Sequence, residues 1–185
     1  MQNKILQKPE VKEIERYKHL PVRKIKLSNN ADVFGFYNGD VKATKIDVIF
    51  PAGRVFQTKA FQSVLTNSLL REGADKGIEE KLDYYGIFIK HRVEDYWSVF
   101  SFNFPVMYLE KTLEIINKLL FKAEIKEENF SFIINRTREN LLKSIQRTDF
   151  TAHINFQNIL WGDNHPLGLL PKEKRLNQLK ISDIK

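Results

Sequence analysis

Cysteine is absent from this 185-residue chain. Disulfides, thiolate metal sites and cysteine nucleophiles are therefore excluded. Histidine is scarce: His19, His91, His153 and His165 are the four copies, and no two sit at the i, i+4 spacing that lets one helix face grip a metal. The eight glycines form no phosphate-cradling loop. No Gly-x-Ser-x-Gly elbow presents a serine nucleophile. No stretch approaches the roughly 20 apolar residues a membrane helix needs, and Met1 to Pro9 lack an apolar signal core. A soluble protein without a membrane partner is expected, cytoplasmic or periplasmic, with the cytoplasm preferred.

What is present suits a folded domain. Hydrophobic residues make up 42% and charged residues 29%, ordinary values for a chain long enough to bury its own core. The net charge of +7 invites a nucleic-acid reading, but its distribution opposes it. Residues 1–28 carry +5 and residues 172–185 carry +3, which leaves 17 basic against 18 acidic residues between them. A basic groove needs its charge on a folded face beside aromatics. Charge held in two ends reads instead as solubilising arms, so no nucleic-acid partner is expected.

Residues 1–21 read as a polar, basic N-terminal arm ending at Pro21, and 22–185 as one domain. Val22 to Leu27 alternates, Ser28 to Asp32 has turn chemistry, and Val33 to Tyr37 forms a second short strand closed by Asn38-Gly39-Asp40. Thr44 to Phe50 alternates with Ile46, Val48 and Phe50 on one side and Lys45 and Asp47 on the other. Helices are predicted over Lys59–Arg71, with Gly73 as the stop, and over Ile78–Tyr85, stopped at Gly86. Two strands follow, Ile87–Val93 and Tyr96–Phe104, turned at Glu94-Asp95. The remainder is helical. Its stripes are Leu109, Leu113, Ile116 and Leu120; Phe130, Ile133, Ile134, Thr137, Leu141 and Ile145; and Ala152, Phe156, Ile159 and Leu160. The fold class is α+β: an antiparallel or mixed sheet of about five strands with helices packed mainly on one face. Ser182 reads as an N-cap with Asp183 behind it. A new helix would then begin there, and the chain would be a piece of a longer multi-domain protein.

The ordered motifs are Phe50-Pro51-Ala52-Gly53, a helix, Arg71-Glu72-Gly73-Ala74, Leu82-Asp83-Tyr84-Tyr85-Gly86, a hairpin, three helices and Asn164-His165-Pro166-Leu167-Gly168. This order resembles the first domain of the insulinase/pitrilysin family, the inverted zincins that include mitochondrial-processing-peptidase-like proteins. Active members carry His-x-x-Glu-His on the first helix, where two histidines hold zinc, the glutamate activates its water, and a downstream glutamate completes the ligands. The resemblance places that motif on Val64-Leu65-Thr66-Asn67-Ser68. Val64 and Ser68 then stand where ligands belong, and Asn67 stands where the general base belongs. Valine has no lone pair, and an amide takes up no proton near neutral pH. Glu139 is the nearest acid for the downstream ligand, although an exposed helix residue is the simpler reading.

The resemblance thus implies a catalytically inactive peptidase-like half. It would need no cofactor of its own, hold peptide or protein substrate in an extended conformation, and pair with a homologous zinc-bearing subunit or further domains of the same chain. The alternative is a zinc-dependent metalloendopeptidase whose metal site is supplied from outside this stretch. Val64, Asn67 and Ser68 are expected beside a shallow cleft. His91 and Asp95 are expected to form a cross-strand hydrogen bond rather than a catalytic pair. A metal shared by His153 and His165 is disfavoured. The aromatic strand Tyr96–Phe104, beside Lys90 and Arg92, is read as core packing rather than a base-stacking platform.

Overall fold

In this computed structural model, residues 19–37, 39, 41–72 and 76–184 are described. The chain divides into two compact units, residues 1–41 and 42–185.

The first unit holds an antiparallel hairpin of strands β1 (Arg23–Lys26) and β2 (Asp32–Gly35). Its turn closes through Leu27 N–H donating to Ala31 O at 2.9 Å, and Asn29 Oδ1 accepts from Ala31 N at 3.1 Å. Asn30 takes φ 67°, the left-handed conformation that asparagine tolerates better than most residues. The expected turn chemistry is therefore used. Every residue of both strands is exposed. The following turn, Asn38-Gly39-Asp40, has Asn38 and Asp40 outside the described residues, as are residues 1–18 of the expected arm.

The second unit holds strands β3 (Ala43–Phe50), β4 (Phe88–Val93) and β5 (Ser98–Pro105), antiparallel in the order β3-β5-β4. The sheet of about five strands is thereby corrected to sheets of two and three strands. The cause is pairing: β1 and β2 hydrogen-bond to each other, and alternation reveals a strand without revealing its neighbours.

Strand β5 is central, and Phe100, Phe102 and Phe104 lie buried on one of its faces. Ile46 and Ile89 flank Phe102, and Val48 and His91 flank Phe100. The expected orientation of β3 holds, with Ile46, Val48 and Phe50 inward and Lys45 and Asp47 outward. The helices are α1 (Gln62–Glu72), α2 (Lys76–Tyr85), α3 (Leu109–Phe121), α4 (Glu127–Ser144), α5 (Thr148–Trp161) and the short α6 (Glu173–Asn177); α2 and α3 cover that inward face, α1 lies against β4, and α4 packs on α1. One core cluster joins the β5 phenylalanines to Leu82 of α2 and Ile115, Ile116 and Leu119 of α3. A second joins Leu65 and Leu69 of α1 to Phe130 and Ile133 of α4 and to Leu176, Leu179 and Ile184.

Two helix faces differ from their sequence stripes. α3 buries Thr112, Ile115, Ile116 and Leu119, one residue round from the expected face, while Leu109 and Leu113 are exposed. On α5 the stripe Ala152, Phe156, Ile159 and Leu160 points to solvent, and no α5 residue is buried. Apolar and polar residues alternate around α5 without a dominant face, so periodicity does not choose a stripe.

Two loops explain Gly53 and Gly168 of the ordered motifs; Gly73 lies outside the described residues. Gly53 N–H donates to Tyr96 O at 3.2 Å, and the next two N–H groups reach Glu94 O and Asp95 O. A Cβ on Gly53 would overlap the Asp95 carbonyl, so only glycine permits this approach. Gly168 passes Gly162 in the same way, where a Cβ would overlap the Gly162 carbonyl. The chain's last described turn, Ile181–Asp183, is a short 3-10 helix. Ser182 lies inside it and is not the N-cap. Asp183 Oδ2 instead accepts from Lys180 N at 2.8 Å. Lys59 Nζ, 2.7 Å from Asp183 Oδ1, holds that carboxyl below its ordinary range.

Candidate functional site

Helix α1 follows the Gly53 loop and lays one face against β4 and α4. Leu65 and Leu69 anchor it in the second core cluster. That anchoring turns Asn67 inward, where it is 3% exposed. Its Nδ2 donates to Arg92 O at 3.2 Å, and its Oδ1 accepts from Ser98 Oγ at 2.6 Å. Both ends of the amide are thus engaged, one by β4 and one by β5. A buried amide needs such partners, and here it ties the first helix to two strands. Ser68 is buried as well, and Val64 alone of the three positions reaches solvent, at 39% exposure. Asn67 and Ser68 are thus packed into the fold, and Val64 marks the surface above them.

These positions do not fit zinc. Val64 offers no donor atom, Ser68 is a poor ligand, and the Asn67 amide is committed to protein partners. Among the described residues no group of three or more His, Cys, Asp or Glu side chains could hold a metal ion. Glu139 is an exposed residue of α4, two positions before the buried Leu141. His153 is exposed on α5. His165 stacks on Trp161, with ring centroids 4.7 Å apart, and its Nδ1 accepts from Leu167 N at 3.2 Å. His165 therefore organises its own loop.

The expected His91–Asp95 hydrogen bond is not formed. Asp95 pairs with Arg54 of the Gly53 loop at 2.5 Å. His91 projects from β4 onto the helix-covered face and packs its ring against Phe100 at 5.9 Å. Around it lie charges at the end of α1: Glu72 is paired with Arg136 of α4, and Arg71 with Glu79 of α2. Burial lowers the His91 pKa first, Arg71 and Arg136 lower it further, and Glu72 opposes them. The native protein therefore resists protonating His91. Below the ordinary histidine pKa of about 6.5 the unfolded chain takes up a proton that the native state refuses, so His91 costs stability as pH falls. Replacing it (His91→Gln) is expected to flatten the decline of the urea midpoint between roughly pH 7 and pH 5. An unchanged slope would show that His91 titrates alike in both states.

The Glu72–Arg136 and Arg54–Asp95 pairs and the Ser98 partner of Asn67 have no signal in the sequence. Each joins residues more than 30 positions apart, and no local spacing marks such a contact.

The free edge of β4 is the second feature of the site. β4 has β5 on one side only. Glu94 N–H bonds Trp97 O at 2.8 Å, and antiparallel hydrogen bonds alternate along the strand. By that alternation, Ile89, His91 and Val93 direct their backbone N–H and C=O groups away from β5. None of these groups bonds elsewhere among the described residues.

No protein-family model matches the chain, and no curated protein matches it. Solved structures do. A peptidase M16 inactive domain from Pseudomonas fluorescens superposes with TM-score 0.79 at 18% identity, covering 89% of this chain and 42% of that one. A protease from Helicobacter pylori gives TM-score 0.77 at 13% identity, over 90% of this chain and 42% of that one. The periplasmic protease PqqL from Escherichia coli gives 0.71 at 17%, over 93% and 20%. The chain has the fold of these peptidase domains. That is the fold implied by the ordered motifs. It spans about two fifths of the first two structures and one fifth of PqqL.

Proposed function

We propose that this domain is a non-catalytic, peptidase-like half that binds extended peptide along the free edge of β4 and works beside a zinc-bearing domain or subunit. The observation that carries the reading is Asn67. At the place the motif order assigns to a general base stands a buried amide whose two ends hold β4 and β5 in place. A side chain so committed serves structure, not proton transfer. The edge supplies the binding mode: an added strand needs only main-chain hydrogen bonds, which Ile89, His91 and Val93 are placed to give. The similar Pseudomonas fluorescens protein is itself an inactive domain, which supports the same reading, and its chain is long enough for a second domain of this size. Fold likeness alone does not carry function, so the test is direct.

The purified chain is dialysed, assayed for zinc, and incubated with unfolded, labelled casein with and without chelator. The expected result is no stoichiometric zinc, no cleavage, and slower amide exchange at Ile89, His91 and Val93 when casein is added. One zinc per chain with chelator-sensitive cleavage would establish the metallopeptidase reading instead. No zinc and unchanged exchange at the edge would overturn the peptide-binding half of the proposal.

A further inference from the structure

A groove of about 500 Å³ runs between α2 and α3, on helices that contribute nothing to the β4 edge. Its accessible apolar surface comes from Ile78 and Ala123, both half-buried, beside the buried Ile115 and Leu119. Its rim is basic. Lys81 stands on α2, Lys118 in the last turn of α3, Lys122 at the C-cap of α3 and Lys126 at the N-cap of α4, all exposed. None of the four takes an ion-pair partner among the described residues, whereas Lys111 at one end is tied to Glu114 at 3.0 Å. Five lysines against Glu114 and Glu124 give the lining a net charge of +3. The chain between residues 29 and 171 is otherwise close to neutral, with 17 basic and 18 acidic residues, so this excess is local.

Spacing decides what such a rim can recognise. Lys118, in the last turn of α3, and Lys122, its C-cap, are four residues apart, which places their backbones about 6 Å from each other. Alternate residues of an extended chain project to the same side about 6.7 Å apart. From Lys111 to Lys122 the helix rises about 16 Å, beyond the reach of a single headgroup. A nucleic acid would favour arginine forks and open aromatic faces. The groove has no arginine, and its one aromatic, Tyr85, is packed against Tyr84 at 5.1 Å and Tyr108 at 5.0 Å. We propose that the α2–α3 groove docks an acidic, amphipathic segment of a partner protein, its alternate carboxylates on Lys118 and Lys122 and its apolar side chains on Ile78 and Ala123. This site is separate from the β4 edge and does not depend on the peptidase-like reading.

The probe is a fluorescein-labelled peptide of alternating glutamate and leucine, followed by anisotropy. It is expected to bind at least about tenfold more tightly than the glutamine–leucine and glutamate–serine versions, and to weaken as salt is raised. Lys118→Glu with Lys122→Glu is expected to reduce affinity at least about tenfold, and Lys174→Glu, an exposed change on α6, less than about twofold. All three positions are solvent-exposed, and circular dichroism checks that the fold survives. Equal affinity for the glutamate–serine peptide or for an oligothymidylate of matched charge would overturn the proposal in favour of non-specific polyanion attraction. Binding unaffected by the double charge reversal would overturn the site.

Discussion

Replacing Asn67 with glutamate is expected to lower the free energy of unfolding by about 3–5 kcal/mol, because it puts a carboxylate into a buried position beside a backbone carbonyl. The Arg92 carbonyl, which now accepts from the Asn67 amide, would face a second acceptor. Ser98 Oγ could still donate, but one hydroxyl does not offset the loss of hydration. The neutral truncation Asn67→Ala removes both hydrogen bonds without adding charge, and its expected cost is smaller, about 1–3 kcal/mol. Urea unfolding at neutral pH separates the two. The combined change Val64→His, Asn67→Glu and Ser68→His restores the motif on paper. It is expected to retain no zinc after dialysis, since Ser68 is buried and Glu139 points to solvent from α4. Stoichiometric zinc in a folded triple variant would show that an acidic side chain reaches these positions after all, and would put the loss of the metal on three residues alone.

Phe102→Ala is expected to cost a similar amount, about 3–5 kcal/mol, by a different route: the cavity it leaves. Phe102 is fully buried on the central strand, between Ile46 and Ile89 in register, and against the helices of the first core cluster. The surrounding side chains come from three strands and two helices, so no single element can relax into the space. Thermal unfolding and peptide binding to the β4 edge distinguish this role from a surface one. A folded Phe102→Ala variant should unfold earlier yet keep its affinity for extended peptide. A loss of affinity with unchanged stability would mean the ring contacts ligand, which its burial denies.

Much of this was legible from residues. The alternation on β3, the turn at Ser28–Asp32 and the burial of the β5 phenylalanines follow from period and turn chemistry, which are local. The peptidase-type fold followed from the order of motifs, in which the glycine-pinned loop at Gly53 joins β3 to α1. What stayed hidden was tertiary. Nothing in Arg23–Lys26 says that its partner is β2 alone. Nothing near Asp95 says that Arg54, from the far side of a loop, will take its carboxylate in place of His91. The outward turn of Phe156, Ile159 and Leu160 on α5 was concealed because apolar and polar residues are spread around that helix and no one face dominates. At the candidate site the sequence named the three positions but not their burial. Whether a polar side chain is spent on structure depends on what packs against it, and for Asn67 the partners come from residues 92 and 98.

The near-contact of Gly162 and Gly168 constrains how this domain can vary. Five residues, 163–167, separate the two glycines, and the His165 ring, the Asn158 amide and the Pro166 carbonyl are all fitted to that span. An added or removed residue would pull the two backbones apart or drive them together, whatever its identity. The segment should therefore tolerate exchange at solvent-facing Asn164 far better than any change in its length. Ancestry would then be recorded here as a fixed count rather than as a preserved word.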